Sequence, residues 1–123
     1  MNKSHLEDTL ARQIEQAGTL RPVREYRLFA ELAGPGRGLR KRLQENGWKD
    51  YRYDFAWPEQ KLLAEVQGGI WLNASGHNTG VGLVRDYEKN NMAVVIGWRV
   101  LHFSDKEIRS GEALNVIVKA LQK

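Results

Sequence analysis

Tyr51-Arg52-Tyr53-Asp54-Phe55-Ala56-Trp57-Pro58-Glu59-Gln60-Lys61-Leu62-Leu63-Ala64-Glu65-Val66-Gln67-Gly68-Gly69-Ile70-Trp71 holds two alternating runs separated by a turn, and their register decides how the rest of the chain is read. In the first run Tyr51, Tyr53, Phe55 and Trp57 fall on one face and Arg52, Asp54 and Ala56 on the other, the period of two of a half-buried strand. In the second, Leu62, Ala64 and Val66 share one face, and Leu63, Glu65 and Gln67 the opposite one. Pro58-Glu59-Gln60 punctuates the two runs. With an even number of residues in the connection, Phe55 lies opposite Ala64, Tyr53 opposite Val66 and Asp54 opposite Glu65. One register thus completes an apolar face and brings two carboxylates together.

Directly opposed carboxylates destabilise a sheet by up to about 1 kcal/mol unless positive charge stands between them. A hard divalent cation supplies that charge, since Mg2+ or Mn2+ takes oxygen ligands, commonly one or two carboxylates with water and phosphate oxygens. Asp54 and Glu65 are therefore candidate metal ligands, with the backbone carbonyl of Val66 and the side-chain oxygen of Gln67 as further donors. The alternative is a solvated pair balanced by Arg52 and Lys61.

Outward from this pair the chain reads as one domain of 123 residues with αβββαβα order, an α/β chain. Ser4 is placed to cap a helix reaching Gly18, with Leu6, Leu10 and Ile14 four apart on one face. Pro22 closes a turn, and Val23 to Phe29 reads as a strand. After Gly68-Gly69 and a loop rich in Gly, Asn and Ser, a helix spans about Val81 to Ile96 with Val84, Tyr87, Val94 and Val95 inward. Gly97 ends it, Trp98 to Phe103 is a strand, and Ser104 caps a final helix with Ile108, Leu114, Ile117, Val118 and Leu121 inward.

The composition excludes several classes. With no cysteine there are neither disulfides nor thiolate metal sites. The longest apolar run, Met92 to Ile96, is too short for a bilayer, and the N-terminus lacks a signal-peptide core, so a cytoplasmic protein without membrane attachment is expected. A net charge of +4 and a pI near 9.5 suit a polyanion. Arg37, Arg40, Lys41, Arg42 and Lys49 gather in a basic insertion at about residues 30–50, which opens with Gly34-Pro35-Gly36-Arg37-Gly38 and has Trp48 and Tyr51 beside it. This patch suits phosphate contacts and base stacking. It reads equally as a solvated loop followed by a short charged helix, Leu39 to Glu45.

Ser4-His5-Leu6-Glu7, Pro22 to Tyr26, Asp54, Glu65 to Trp71, Gly76-His77, Gly80-Val81-Gly82, Asp86 to Asn90 and Gly97 to Phe103 occur in an order that resembles the PD-(D/E)XK, restriction-endonuclease-like nuclease superfamily. Within it the chain looks like small endodeoxyribonucleases common in phage and prophage genomes. The resemblance spans nearly the whole chain apart from roughly residues 29–50. It implies an α/β fold with a mixed central sheet flanked by helices, a Mg2+- or Mn2+-dependent DNA endonuclease that hydrolyses phosphodiester bonds, structure specificity for branched or junction DNA as one option, and dimerisation of the junction-resolving kind. For the dimer contact the aromatics Trp48, Trp57 and Trp71 offer themselves, unless they fill the core. One departure is clear: Gln67 stands where the superfamily motif has lysine.

The resemblance also directs attention to single residues. Glu7 matches an additional acidic residue that many members aim at the metal, although Ser4-x-x-Glu7 is also a capping box. His77, in the loop after the third strand, is placed to contact phosphate, orient water or protonate a leaving group, or else is a solvated loop residue. Lys89, with Arg85 one turn earlier, offers the positive charge missing at position 67; the alternative is a solvent face of helix pairs. His5 and His102 read as structural. Two rivals to the nuclease remain: a catalytically inactive nucleic-acid-binding module of the same fold, and a small interaction protein.

Overall fold

The computed structural model describes residues 2–67 and 81–123, with side chains in the helix that begins at Val81 described from Arg85 onward. Four strands, β1 (Val23–Tyr26), β2 (Tyr53–Trp57), β3 (Leu62–Gln67) and β4 (Arg99–Ser104), form one sheet in the order β1-β2-β3-β4. The first three run as an antiparallel meander, and β4 lies parallel to β3. Parallel neighbours need a long crossover, and its helix is α4 (Val81–Val95). The β2–β3 register pairs Phe55 with Ala64, as the alternation predicts. Pro58–Gln60 forms a 3-10 turn closed by Lys61 in the left-handed region (φ 50°).

Helices cover both faces. Phe55, Trp57, Leu62, Ala64, Val66 and Phe103 pack under α1 (Lys3–Gln16), α5 (Asp105–Ser110) and α6 (Glu112–Leu121), which contribute Leu6, Leu10, Ile14, Ile108, Ala113 and Ile117. Ala56, Leu63 and Trp98 pack under α2 (Leu28–Ala33), α3 (Leu39–Glu45) and α4, through Leu28, Phe29, Leu43 and Ala93. Each large side chain buried here contributes roughly 1.5–3 kcal/mol. Trp57 lies within the core and is not free for a dimer contact, whereas Trp48 is partly buried against Phe29. Trp71 lies outside the described residues. Among the described residues no helix is long and apolar enough to cross a membrane.

Several sequence expectations are corrected. Asn2, not Ser4, caps α1, its side chain accepting from the His5 amide at 2.8 Å, so Glu7 is not needed for a capping box. The first strand stops at Tyr26, and Leu28, Phe29 and Ala30 bury themselves from a short helix rather than a strand. That helix ends on Arg42, whose guanidinium donates to the carbonyls of Ala33 and Gly34 (Nε, 2.9 and 3.1 Å) and Arg37 (Nη1, 2.8 Å). A Cβ at Gly38 would meet Arg42 Nη1 at 2.7 Å. Gly111, at φ 86°, divides the final helix into α5 and α6. Among the described side chains of α4 Ala93 is the buried one, with Met92 partly buried like Ile96 just beyond it, while Tyr87, Val94 and Val95 are exposed; the Val84 side chain lies outside the described residues. The described order therefore has two helices between β1 and β2 and a divided last helix, in place of αβββαβα.

One strand also turns over. Alternation puts Tyr53 on the face of Phe55, yet Tyr53 joins Ala56 and Leu63 on the α4 side, its hydroxyl donating to the Lys89 carbonyl at 2.8 Å. The cause lies across the β1–β2 ladder. Glu25, between the pairs Arg24–Phe55 and Tyr26–Tyr53, has φ 52°. A left-handed non-glycine residue costs roughly 1–2 kcal/mol, and the kink it makes lies opposite Asp54.

Candidate metal centre

Ladder pairing between β2 and β3 runs from Trp57–Leu62 to Phe55–Ala64, and beyond it the strands exchange side chains for backbone bonds. Glu65 Oε2 accepts the Asp54 amide at 2.9 Å, and Asp54 Oδ2 accepts the Val66 amide at 2.8 Å. Both carboxylates are buried, at 3% and 7% exposure, and each is anchored to the opposite strand by a bond that fixes its rotamer. Val66 enters the site through its amide, its side chain lying in the core under α1.

The second oxygen of each carboxylate meets an ammonium from a different face. Lys3 Nζ, on α1, lies 3.1 Å from Asp54 Oδ1, and Lys89, on α4, ion-pairs with Glu65 Oε1. The two carboxylates thus straddle the end of the sheet rather than sharing one face, because β2 turns over at Asp54. The expected counter-charges, Arg52 and Lys61, are both exposed, and the residues that pair are Lys3 and Lys89.

Glu7 lies one turn after Lys3 on the same stripe of α1. Carboxylate oxygens of Glu7, Glu25 and Asp54 lie within 4.8 Å of one another. Burial, the Asp54 charge and a hydrogen bond with Glu25 push the Glu7 carboxyl up to about 7, against the opposing pull of Lys3. Glu65 is raised too, by burial first, with Lys89 opposing and Asp54 adding to the shift. Burial works against the charge of Lys3, but Asp54, Glu65 and Glu7 together outweigh it and raise its pKa.

The donor chemistry fits a hard divalent cation. Glu7, Glu25, Asp54 and Glu65 offer oxygens alone, and their four formal charges face two ammoniums, an excess of two negative charges. Such a cation would be held by Asp54 with Glu7 and Glu25, whose oxygens lie within 4.8 Å of one another.

Gln67 and Lys89 line the same small cleft as Glu65. Lys89 Nζ also lies 4.7 Å from the centroid of the Tyr53 ring. Gln67 turns its carboxamide to β4, where Nε2 lies 3.0 Å from His102 Nδ1, and His102 Nε2 lies 3.0 Å from Asn90 Oδ1. His102, read from sequence as structural without a partner, therefore belongs to the site.

The basic residues do not gather at the carboxylates. Arg37, Arg40 and Lys41 are exposed, and Lys49 pairs with Glu88 at 2.6 Å. Arg42 is turned inward onto the α2 carbonyls. Arg85 is exposed on α4, its charge acting on Glu88 and Tyr51 rather than on Glu65. His77 lies outside the described residues.

Sequence reasoning missed Lys3, Glu25, Asn90 and His102. The Lys3-x-x-x-Glu7 spacing carries a signal for the first, but Glu25 depends on the β1–β2 register and the last two on the β3–β4 pairing, which no local pattern encodes. No family model, curated protein or solved structure matches this chain.

Proposed function

We propose that the protein is a metal-dependent DNA endonuclease that hydrolyses phosphodiester bonds, as the resemblance to the PD-(D/E)XK superfamily implies. The observation that carries this reading is the reciprocal anchoring of Asp54 and Glu65, each with one oxygen on the opposite strand's amide and the other on a lysine. Catalytic groups need to be held in place by their surroundings before substrate arrives, and these two are.

A bound Mg2+ or Mn2+ would supply Lewis-acid activation of the phosphate and of water. The chain's own residues do the rest. Asp54, Glu65 and Glu7 would hold such a cation, and Glu7, its carboxyl raised to about 7, would give up its proton to do so. Lys89 sits against Glu65 and supplies positive charge to the phosphate oxygens as negative charge builds on them, the role left open by Gln67. Arg37, Arg40 and Lys41, exposed beyond α2, contact the DNA backbone through salt-sensitive phosphate pairs.

The test is cleavage of supercoiled plasmid, linear duplex and a four-way junction with Mg2+, Mn2+ or EDTA, comparing wild type with Asp54→Ala and Glu65→Ala. Cation-dependent cutting that both variants lose supports the reading. DNA binding by pure wild-type protein without any cutting overturns it in favour of a catalytically inactive binding module.

A further inference from the structure

The two lysines of the site are held differently. The Lys89 side chain is 15% exposed, ion-pairs with Glu65 and places Nζ 4.7 Å from the centroid of the Tyr53 ring. The Lys3 side chain is 50% exposed, and among the described residues its ammonium has one partner, Asp54 Oδ1 at 3.1 Å. Its backbone opens α1 and is fixed there by the Asn2 cap. Side-chain rotation alone therefore decides whether the ammonium rests on Asp54 or stands in water.

Asp54 Oδ2 is taken by the Val66 amide at 2.8 Å, and Oδ1 is the oxygen that Lys3 covers. A small hard cation sits about 2.1 Å from its ligand oxygen, so a cation on Oδ1 with Lys3 still in place would lie no more than about 5 Å from the ammonium. Coulomb energy falls as the inverse of distance. At that range a double positive charge repels the ammonium at least as strongly as the single charge of Asp54 attracts it. Glu7 and Glu65 attract Lys3 as well, but they attract an ion of twice the charge more. The two cations thus compete for one oxygen, and the lysine is the one with an open path to solvent.

We propose that Lys3 is a displaceable internal counter-ion, which occupies the cation's place on Asp54 in the metal-free protein and swings into solvent when a divalent cation binds Asp54, Glu7 and Glu25. Without metal the ammonium offsets the repulsion within the acidic cluster. In doing so it sets the cation concentration at which the site loads. Lys89, held by Glu65 and the Tyr53 ring, stays in place. The inference rests on the metal-dependent reading above, whose cation it requires, but it needs neither DNA nor cleavage.

Two measurements on the full chain test this. In the first, wild-type protein is labelled with trace acetic anhydride at one pH, in EDTA and in saturating Mg2+, and acetylation of each lysine is read by mass spectrometry. Lys3 should react about threefold to fivefold faster with Mg2+, the weight of a half-exposed ion pair, while Lys89 does not change. A Lys3 that is no more reactive with the site loaded overturns the displacement. In the second, Mn2+ affinity is measured by electron spin resonance for wild type, Lys3→Met, Lys3→Arg and Lys89→Met. Lys3→Met should bind about tenfold more tightly, because no charge-assisted bond has to be broken first, and Lys3→Arg, which keeps the charge, should not tighten. Lys89→Met removes the same charge from the site and should tighten binding less than Lys3→Met. Equal tightening by the two variants, or a Lys3→Met protein that binds as wild type does, overturns the exchange and leaves the metal site standing. If neither wild type nor Lys3→Met binds Mn2+, the metal-dependent reading itself fails and the inference goes with it.

Discussion

Asp54 and Glu65 are joined by a bond that belongs to neither carboxylate alone: the Asp54 amide donates to Glu65 Oε2, while the Asp54 carboxylate takes the next amide on the strand of Glu65. Removing one side chain therefore strands a buried donor on the other strand, at a cost of about 1–3 kcal/mol. Asp54→Asn should behave differently from Asp54→Ala. The asparagine oxygen still accepts from Val66, so the fold should hold within about 1 kcal/mol by urea titration, while cleavage falls at least about a hundredfold with the charge. A cleaving Asp54→Asn protein would remove Asp54 from the metal set.

The Glu7 carboxyl supplies a pH dependence with a definite sign. Its folded pKa, about 7, lies above its ordinary value of 4.5, so the folded state binds the proton more tightly than the unfolded chain. Its contribution to stability is full below about 4.5 and is lost as pH rises through 7. Urea midpoints measured without divalent cation should fall from pH 5 to pH 7.5 and level off above that, and Glu7→Gln should flatten this part of the curve. An unchanged slope in the variant would assign the effect to other groups.

The same proton links pH to metal binding. A cation held by deprotonated Glu7 displaces the proton shared in the Glu7–Glu25–Asp54 cluster. Calorimetric titration with Mg2+ at pH 7, in two buffers of different ionisation enthalpy, should show release of a fraction of a proton per ion. The release should fade by pH 8.5 and vanish in Glu7→Gln. Buffer-independent heats at pH 7 would mean that Glu7 stays protonated or stands aside.

Lys89 opposes the rise in the Glu65 pKa. In Lys89→Met the carboxyl should titrate higher, so the acidic limb of the activity profile should move to higher pH than in wild type. The pH–rate profile of the variant checks this. A uniform loss at all pH values would place the role of Lys89 on the substrate alone.

Legibility from sequence followed the range of the interactions. Leu6, Leu10 and Ile14, and the Phe55–Ala64 register, are encoded by local periodicity and survive unchanged. Alternation puts Tyr53 on the face opposite to its own because a kink at Glu25, nearly thirty positions earlier, lies across from its strand, and alternation carries no information about a neighbouring strand's backbone. The candidate carboxylates were legible because an unpaired acidic pair on a sheet is anomalous in itself. Lys3 was hidden by the helix, where an exposed lysine looks like any other, and His102 by a tertiary pairing of β3 with β4.

Arg42 and Lys41 are neighbours of the same charge with opposite roles. Arg42 binds the carbonyls of Ala33, Gly34 and Arg37 and ties the end of α2 to α3, whereas Lys41 is exposed. Each lost hydrogen bond to a charged donor is worth about 1.5–3 kcal/mol at most, less where water replaces it, so Arg42→Ala should lower stability by about 1–3 kcal/mol in urea titration. Its DNA affinity should then match wild type at temperatures where it stays folded. Lys41→Ala and Arg40→Ala should leave the urea midpoint unmoved, weaken duplex binding and flatten its dependence on salt by about one phosphate contact each. The reversed pattern, with Arg42→Ala stable but weak for DNA, would mean that its guanidinium leaves α2 to reach the phosphates.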